Sequence, residues 1–145
     1  MSRRILVVAA AFATALAATA VVAQTDVVKQ RETLMKEFGN VTKPVGGMLR
    51  GSVPFDLAAV KAALDTYAKN AKVLPSLFPA GSGEGTDALP SVWERKAEFD
   101  GLFAKLASDA TAAKGAITDE ASFKANFPGV IRTCGTCHDS FRKKS

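Results

Sequence analysis

The sequence predicts an all-α protein folded as an antiparallel, up-down-up-down four-helix bundle. Three observations carry that expectation. Period-two alternation of apolar and polar residues, the mark of a half-buried strand, is absent. Alanine, the strongest helix former, is abundant throughout. Four segments repeat apolar residues at helical spacing and are joined by mostly short links, which place successive helices antiparallel.

Residues 1–23 stand apart from those segments. Met1-Ser2-Arg3-Arg4 precedes a run from Ile5 to Val22 interrupted only by Thr14 and Thr19. A short basic start, an apolar stretch and a small residue at the end describe a secretory signal peptide. Cleavage after Val21-Val22-Ala23 fits the pattern, with Ala18-Thr19-Ala20 a second candidate. The whole chain has 145 residues and a formal charge of +5. Without its leader it keeps 122 residues and a charge of +3, from 17 Lys and Arg against 14 Asp and Glu. That length suits one domain, residues 24–145. The charge is too small, and too free of aromatic interleaving, to imply nucleic acid. Nothing after residue 23 is apolar for long enough to cross a membrane. An exported protein of the periplasm, with no membrane attachment after cleavage, is the expectation.

The first bundle helix is expected from an N-cap at Asp26, with Val27, Val28, Arg31, Leu34, Met35 and Phe38 on one face. It continues towards Val45 and Met48, where Gly39, Pro44 and Gly46-Gly47 should bend or break it. Asp56 caps the second helix, whose apolar positions run from Leu57 through Val60, Leu64 and Tyr67 to Leu74. Pro75 and Pro79 mark its end. Residues 80–90 are Gly-rich but lack a phosphate-cradling pattern, and read as a plain connector. The third helix runs from near Ser91 to about Gly115, with Val92, Phe99, Phe103 and Leu106 inward. The fourth opens at Thr118, its expected cap, and runs to Phe141 with a kink or a short interruption expected at Pro128-Gly129.

Chemistry concentrates in that last helix. Cys134-Gly135-Thr136-Cys137-His138 is the C-x-x-C-H pattern of c-type haem attachment. Cys134 and Cys137, three apart, share a helix face from which both sulfurs can form thioethers with haem vinyl groups. His138, four after Cys134, can reach the iron from the same side. A thioredoxin-like pair would need a βαβ context. A zinc site would have three ligands and no second cluster. Export supports haem, because exported thiols left free would otherwise oxidise. The chain has a single His, so the second axial position falls to Met35, Met48 or neither. Those two lie 13 residues apart, about 20 Å on a continuous helix, so at most one reaches the iron. No nucleophile and base pair is visible, and an enzyme is not expected.

On these residues the chain resembles the class II cytochromes c, the family of cytochrome c-prime and low-spin cytochrome c-556. The resemblance spans residues 24–145. It rests on the C-terminal Cys134-Gly135-Thr136-Cys137-His138-Asp139-Ser140-Phe141-Arg142-Lys143-Lys144 and on Gln30-Arg31-Glu32-Thr33-Leu34-Met35. Pro54-Phe55-Asp56, Leu74-Pro75-Ser76-Leu77-Phe78-Pro79 and Val92-Trp93 add weaker support. It implies a four-helix bundle with one haem c bound through Cys134 and Cys137 and ligated by His138. It implies that Met35 faces the open side of the iron, as a ligand in c-556-like members or a bystander in five-coordinate c-prime members that bind nitric oxide or carbon monoxide. It places Arg31 near a haem propionate, Arg142 on the proximal side, and Trp93 near the haem edge or in the core. An electron carrier with an unidentified redox protein partner follows, and family members often pair as homodimers through their first two helices.

Overall fold

The computed structural model describes residues 2–144, with side chains from Thr25 onward. Its elements are α1 (Ser2–Leu49), α2 (Leu57–Val73), α3 (Ser91–Glu94), α4 (Lys96–Ala116) and α5 (Glu120–Phe141), with a 3-10 turn (Leu74–Leu77) after α2. Among the described residues the only extended pairing is an isolated bridge between Ala88 and Arg142. α1, α2, α4 and α5 are the bundle helices. α2 packs on α1 and α4, and α4 packs on α5. α3 is the first turn of the third bundle helix, detached where Arg95 leaves helical geometry at φ −118°, ψ 44°.

The core is built as the periodicity requires. α2 buries Val60, Ala63, Leu64, Tyr67 and Ala71, against Phe103, Leu106 and Ala110 of α4 and Phe123 and Phe127 of α5. Val45 and Met48 close it from α1. Phe99 stands edge-on to Phe78, Phe103 and Phe141, with ring centroids 4.8, 5.1 and 5.2 Å apart, the geometry that the aromatic quadrupole favours. From Thr25 onward, no helix is long and apolar enough to cross a membrane.

Several local expectations change. α1 runs unbroken past Asp26, which is an interior residue there and no cap. With the Ala-rich leader attached, nothing stops the helix at that point. The leader itself, residues 1–23, lies outside the residues whose side chains are described. α1 also runs through Pro44. The carbonyl that Pro44 leaves without its N–H partner belongs to Asn40, and both residues are exposed, so water can take the lost bond. On the opposite side Val45 and Met48 are buried, and their burial holds the helix together. α5 passes through Pro128 without interruption for the same reason. Lys124, four residues earlier, faces solvent, while Phe127 and Val130 are buried.

Asp56 caps α2 as expected, accepting from the Ala58 and Ala59 amides at 2.9 and 3.1 Å. The cap of α5 is Asp119, not Thr118. The Asp119 carboxylate accepts from the Ser122 amide at 2.8 Å, and the Ser122 hydroxyl accepts from the Asp119 amide at 3.0 Å. That reciprocal box satisfies two orphan donors, which Thr118 one residue earlier does not do. These hydrogen bonds hold the Asp119 carboxyl below its ordinary pKa.

Candidate cofactor site

α1 and α5 face each other across a cavity of about 800 Å³, within the roughly 300–1,000 Å³ typical of cofactor sites. Each wall follows from a helix face. α1 contributes Arg31, Met35 and Thr42, which recur at four- and seven-residue intervals. α5 contributes Cys134, Cys137 and His138, and Arg142 stands one turn beyond. Phe99, Phe103 and Leu106 of α4 form the apolar floor, and Phe78 after the 3-10 turn closes one side. The structure thus brings together Arg31, Met35, Cys134, Cys137, His138 and Arg142 of the residues singled out in sequence. Met48 does not line the cavity and is buried in the core.

The electrostatics of the α5 wall argue against a redox-active thiol pair. Burial raises the pKa of the Cys134 thiol, and burial aided by Cys134 pushes that of Cys137 up to about 11. A catalytic or exchanging thiol needs the opposite shift. These sulfurs sit protonated and apolar, against the space where a vinyl group would add. His138 lies at the rim, exposed to solvent yet lining the cavity. Desolvation and then the Arg142 charge lower its pKa, with Asp139 opposing. The ring is therefore neutral near pH 7, the form that binds iron.

Arg31 is only 5% exposed, in keeping with its place on the apolar face of α1 although it carries a charge. Its guanidinium stacks 4.5 Å from the Phe78 ring centroid and donates to the Ser82 carbonyl and hydroxyl. Desolvation lowers its pKa, but guanidinium stays charged. No carboxylate lies within ion-pairing distance of it among the described residues. Glu32, also in the cavity wall, opposes the desolvation through its charge without forming an ion pair, and a buried cation at a cavity wall suits an anionic group on the cavity's occupant. Haem, with vinyl groups, iron and propionates, fits this set of thiols, imidazole, thioether and buried guanidinium.

The 80–90 segment is no plain connector. Gly81, at φ +81°, turns the chain so that Ser82 is buried beneath Arg31. Thr86 and Asp87 line the cavity. The Asp87 carbonyl accepts from the Lys143 amide at 2.8 Å, tying the loop to the end of α5. Trp93 is absent from the cavity wall. Its indole N–H donates to the Phe78 and Pro79 carbonyls at 3.1 and 2.9 Å, so it supports Phe78 from behind. Sequence reasoning did not place Thr42 or Phe78 in the cavity wall, nor foresee the partner of Tyr67. Tyr67, the only tyrosine, is fully buried and shares a 2.7 Å hydrogen bond with Thr42. Burial raises its pKa to about 12.

Comparison with known proteins agrees with this geometry. The family model for cytochrome c′ matches residues 26–142. The chain is 55% identical over 125 residues to cytochrome c′ of Rhodopseudomonas palustris, covering 85% of this chain and 86% of that protein. It is 40% identical over 118 residues to cytochrome c-556 of Agrobacterium fabrum, covering 81% of each. A solved structure of cytochrome c′ from Rhodopseudomonas palustris superposes with a TM-score of 0.81 at 53% identity, covering 83% of this chain and 98% of that one. The chain belongs to the cytochrome c′ family, the class II cytochromes c, four-helix bundles that carry covalently attached haem c.

Proposed function

We propose that this protein is a periplasmic one-electron carrier, its haem bound through Cys134 and Cys137 and its iron ligated by His138 and Met35. The observation that carries the reading is that Met35 and His138 stand in facing walls of one cavity while Met48 is sealed into the core. Bound haem supplies the Fe(II)/Fe(III) couple. The chain's own residues tune it. A thioether opposite an imidazole raises the potential, as in other Met/His cytochromes. Phe99, Phe103 and Leu106 keep water from the cavity floor. Arg31 would meet a propionate of the bound haem, and Arg142 holds positive charge beside His138. Filling both axial positions leaves one-electron exchange, with a redox protein as partner, as the natural task. The leader at residues 1–23 supplies the route to the periplasm, where covalent haem is assembled.

A second reading is favoured by a specific observation. The 55%-identical relative bears the name cytochrome c′, and in five-coordinate members of that type the position of Met35 leaves the iron open. Nitric oxide or carbon monoxide would then bind beside Met35.

The absorption spectrum of the reduced protein, before and after carbon monoxide, separates the two. The carrier reading expects a low-spin spectrum that the gas leaves unchanged, and a Met35→Ala variant that becomes high-spin and gas-reactive. Met48→Ala should leave the spectrum unchanged. A wild-type protein that is high-spin and binds carbon monoxide promptly overturns Met35 ligation.

A further inference from the structure

Across the cavity, α1 packs on α2 and on the 3-10 turn, and not to any comparable extent on α5. The gap between Met35 and His138 is therefore not fixed by contact between the helices that carry them. It is fixed indirectly, by how α1 is seated on α2, because α2 packs on α4 and α4 holds α5. An apolar seam alone resists sliding weakly, since hydrophobic burial has no direction. The α1–α2 seam has two directional contacts at the level of the cavity. Asn70, 1% exposed, donates from its amide nitrogen to the Glu37 carboxylate at 2.8 Å. The Thr42 hydroxyl donates to the Phe38 carbonyl at 2.6 Å, which leaves its oxygen to accept from the Tyr67 hydroxyl at 2.7 Å.

Glu37 and Thr42 lie two and seven residues beyond Met35 on α1. Tyr67 and Asn70 lie three apart on one face of α2, and neither is in the cavity wall. A slide or rotation of α1 would strand the buried Tyr67 hydroxyl and the buried Asn70 amide without their partners. Each such orphan costs more than its hydrogen bond contributes when made. The two pairs thus act as register pins.

We propose that Tyr67 and Asn70 are positioning residues: by pinning Thr42 and Glu37, they set how closely α1 stands to the iron and so whether Met35 closes or opens its sixth position. The proposal builds on the haem ligation described above, but concerns the placement of α1, which exists whether or not the sulfur bonds.

The test uses the haem-loaded protein with Tyr67→Phe, Asn70→Leu and both substitutions together. Tyr67→Phe removes one oxygen and keeps the ring against Phe38 and Phe127. Asn70→Leu keeps the volume and leaves the exposed Glu37 to water. The readouts are the high-spin fraction of the oxidised protein and the association rate of carbon monoxide with the reduced protein. The double variant should gain high-spin character and bind the gas about tenfold faster, the scale of losing two modest hydrogen bonds. Glu37→Gln, which keeps an acceptor for Asn70, should behave as wild type. If the double variant does not fold, each single variant should show a part of the same change. A folded, haem-loaded variant with wild-type spin state and gas rate overturns the proposal. If wild type is itself open, Met35 ligation fails separately. The double variant must then still alter the gas rate, and an unaltered rate again overturns the positioning role.

Discussion

Between α2 and α4 the bundle is dry and close-packed, while between α1 and α5 it holds a cavity of about 800 Å³. The first region is lined by side chains that are almost wholly excluded from solvent: Val60, Ala63, Leu64 and Ala71 from α2, Ala107, Ala110 and Ala113 from α4. Alanines along α4 let the two helices approach closely. The second region carries thiols, imidazole, thioether and guanidinium, with phenyl rings behind them. One half supplies stability and the other supplies chemistry. They are coupled because α1, the wall opposite the haem motif, is seated on the dry half.

The largest expected effect comes from breaking the cavity half at its covalent anchors. Replacing Cys134 and Cys137 with Ala should abolish covalent haem, so that acidified organic solvent extracts all pigment from the protein. Denatured wild type should retain its haem colour on a gel. Retention of covalent haem by the double variant would refute the attachment assignment.

Breaking the dry half should have a different signature. Leu64 is fully buried, and Leu64→Ala should cost about 2–5 kcal/mol of stability. Chemical denaturation measures that loss. The spectrum of the folded holoprotein should keep the wild-type band positions, because Leu64 does not line the cavity. A large spectral change with little loss of stability would mean that the two halves are not divided as described.

The smallest effect is expected at the support behind Phe78. A Cβ on Gly83 would lie 2.5 Å from the Trp93 ring, whose indole is held by two carbonyl acceptors. Gly83→Ala should cost roughly 1–3 kcal/mol through overpacking, seen as a lowered denaturation midpoint. It should also shift the haem band slightly as Phe78 moves. An unchanged midpoint would show that Trp93 is free to give way.

The two halves were also unequally legible in the sequence. The dry half follows from periodicity: Leu57 to Leu74 and Phe99 to Ala110 carry it openly. The haem motif is equally plain, since Cys134, Cys137 and His138 need only their spacing on one helix. Arg31 was legible as a position but not as a buried cation. Its burial depends on Phe78 and Ser82, 47 and 51 residues away, and no local pattern reports that. The 80–90 loop hid its role for the same reason, because glycines look alike in a loose connector and in one that tucks a serine beneath an arginine. Neither Pro44 nor Pro128 breaks its helix, although propensity penalises a lost hydrogen bond wherever it falls. Both fall where the orphaned carbonyl can reach water, and packing on the other side decides. Met35 against Met48 was undecided by spacing alone, and the difference in their surroundings appears only once the cavity is formed.

The most direct test of the central claim is X-ray absorption at the iron edge of the oxidised haem-loaded protein. The account predicts one axial sulfur scatterer in addition to the porphyrin and imidazole nitrogens, lost in Met35→Ala and kept in Met48→Ala. An iron surrounded by nitrogen alone in the wild-type protein would contradict it.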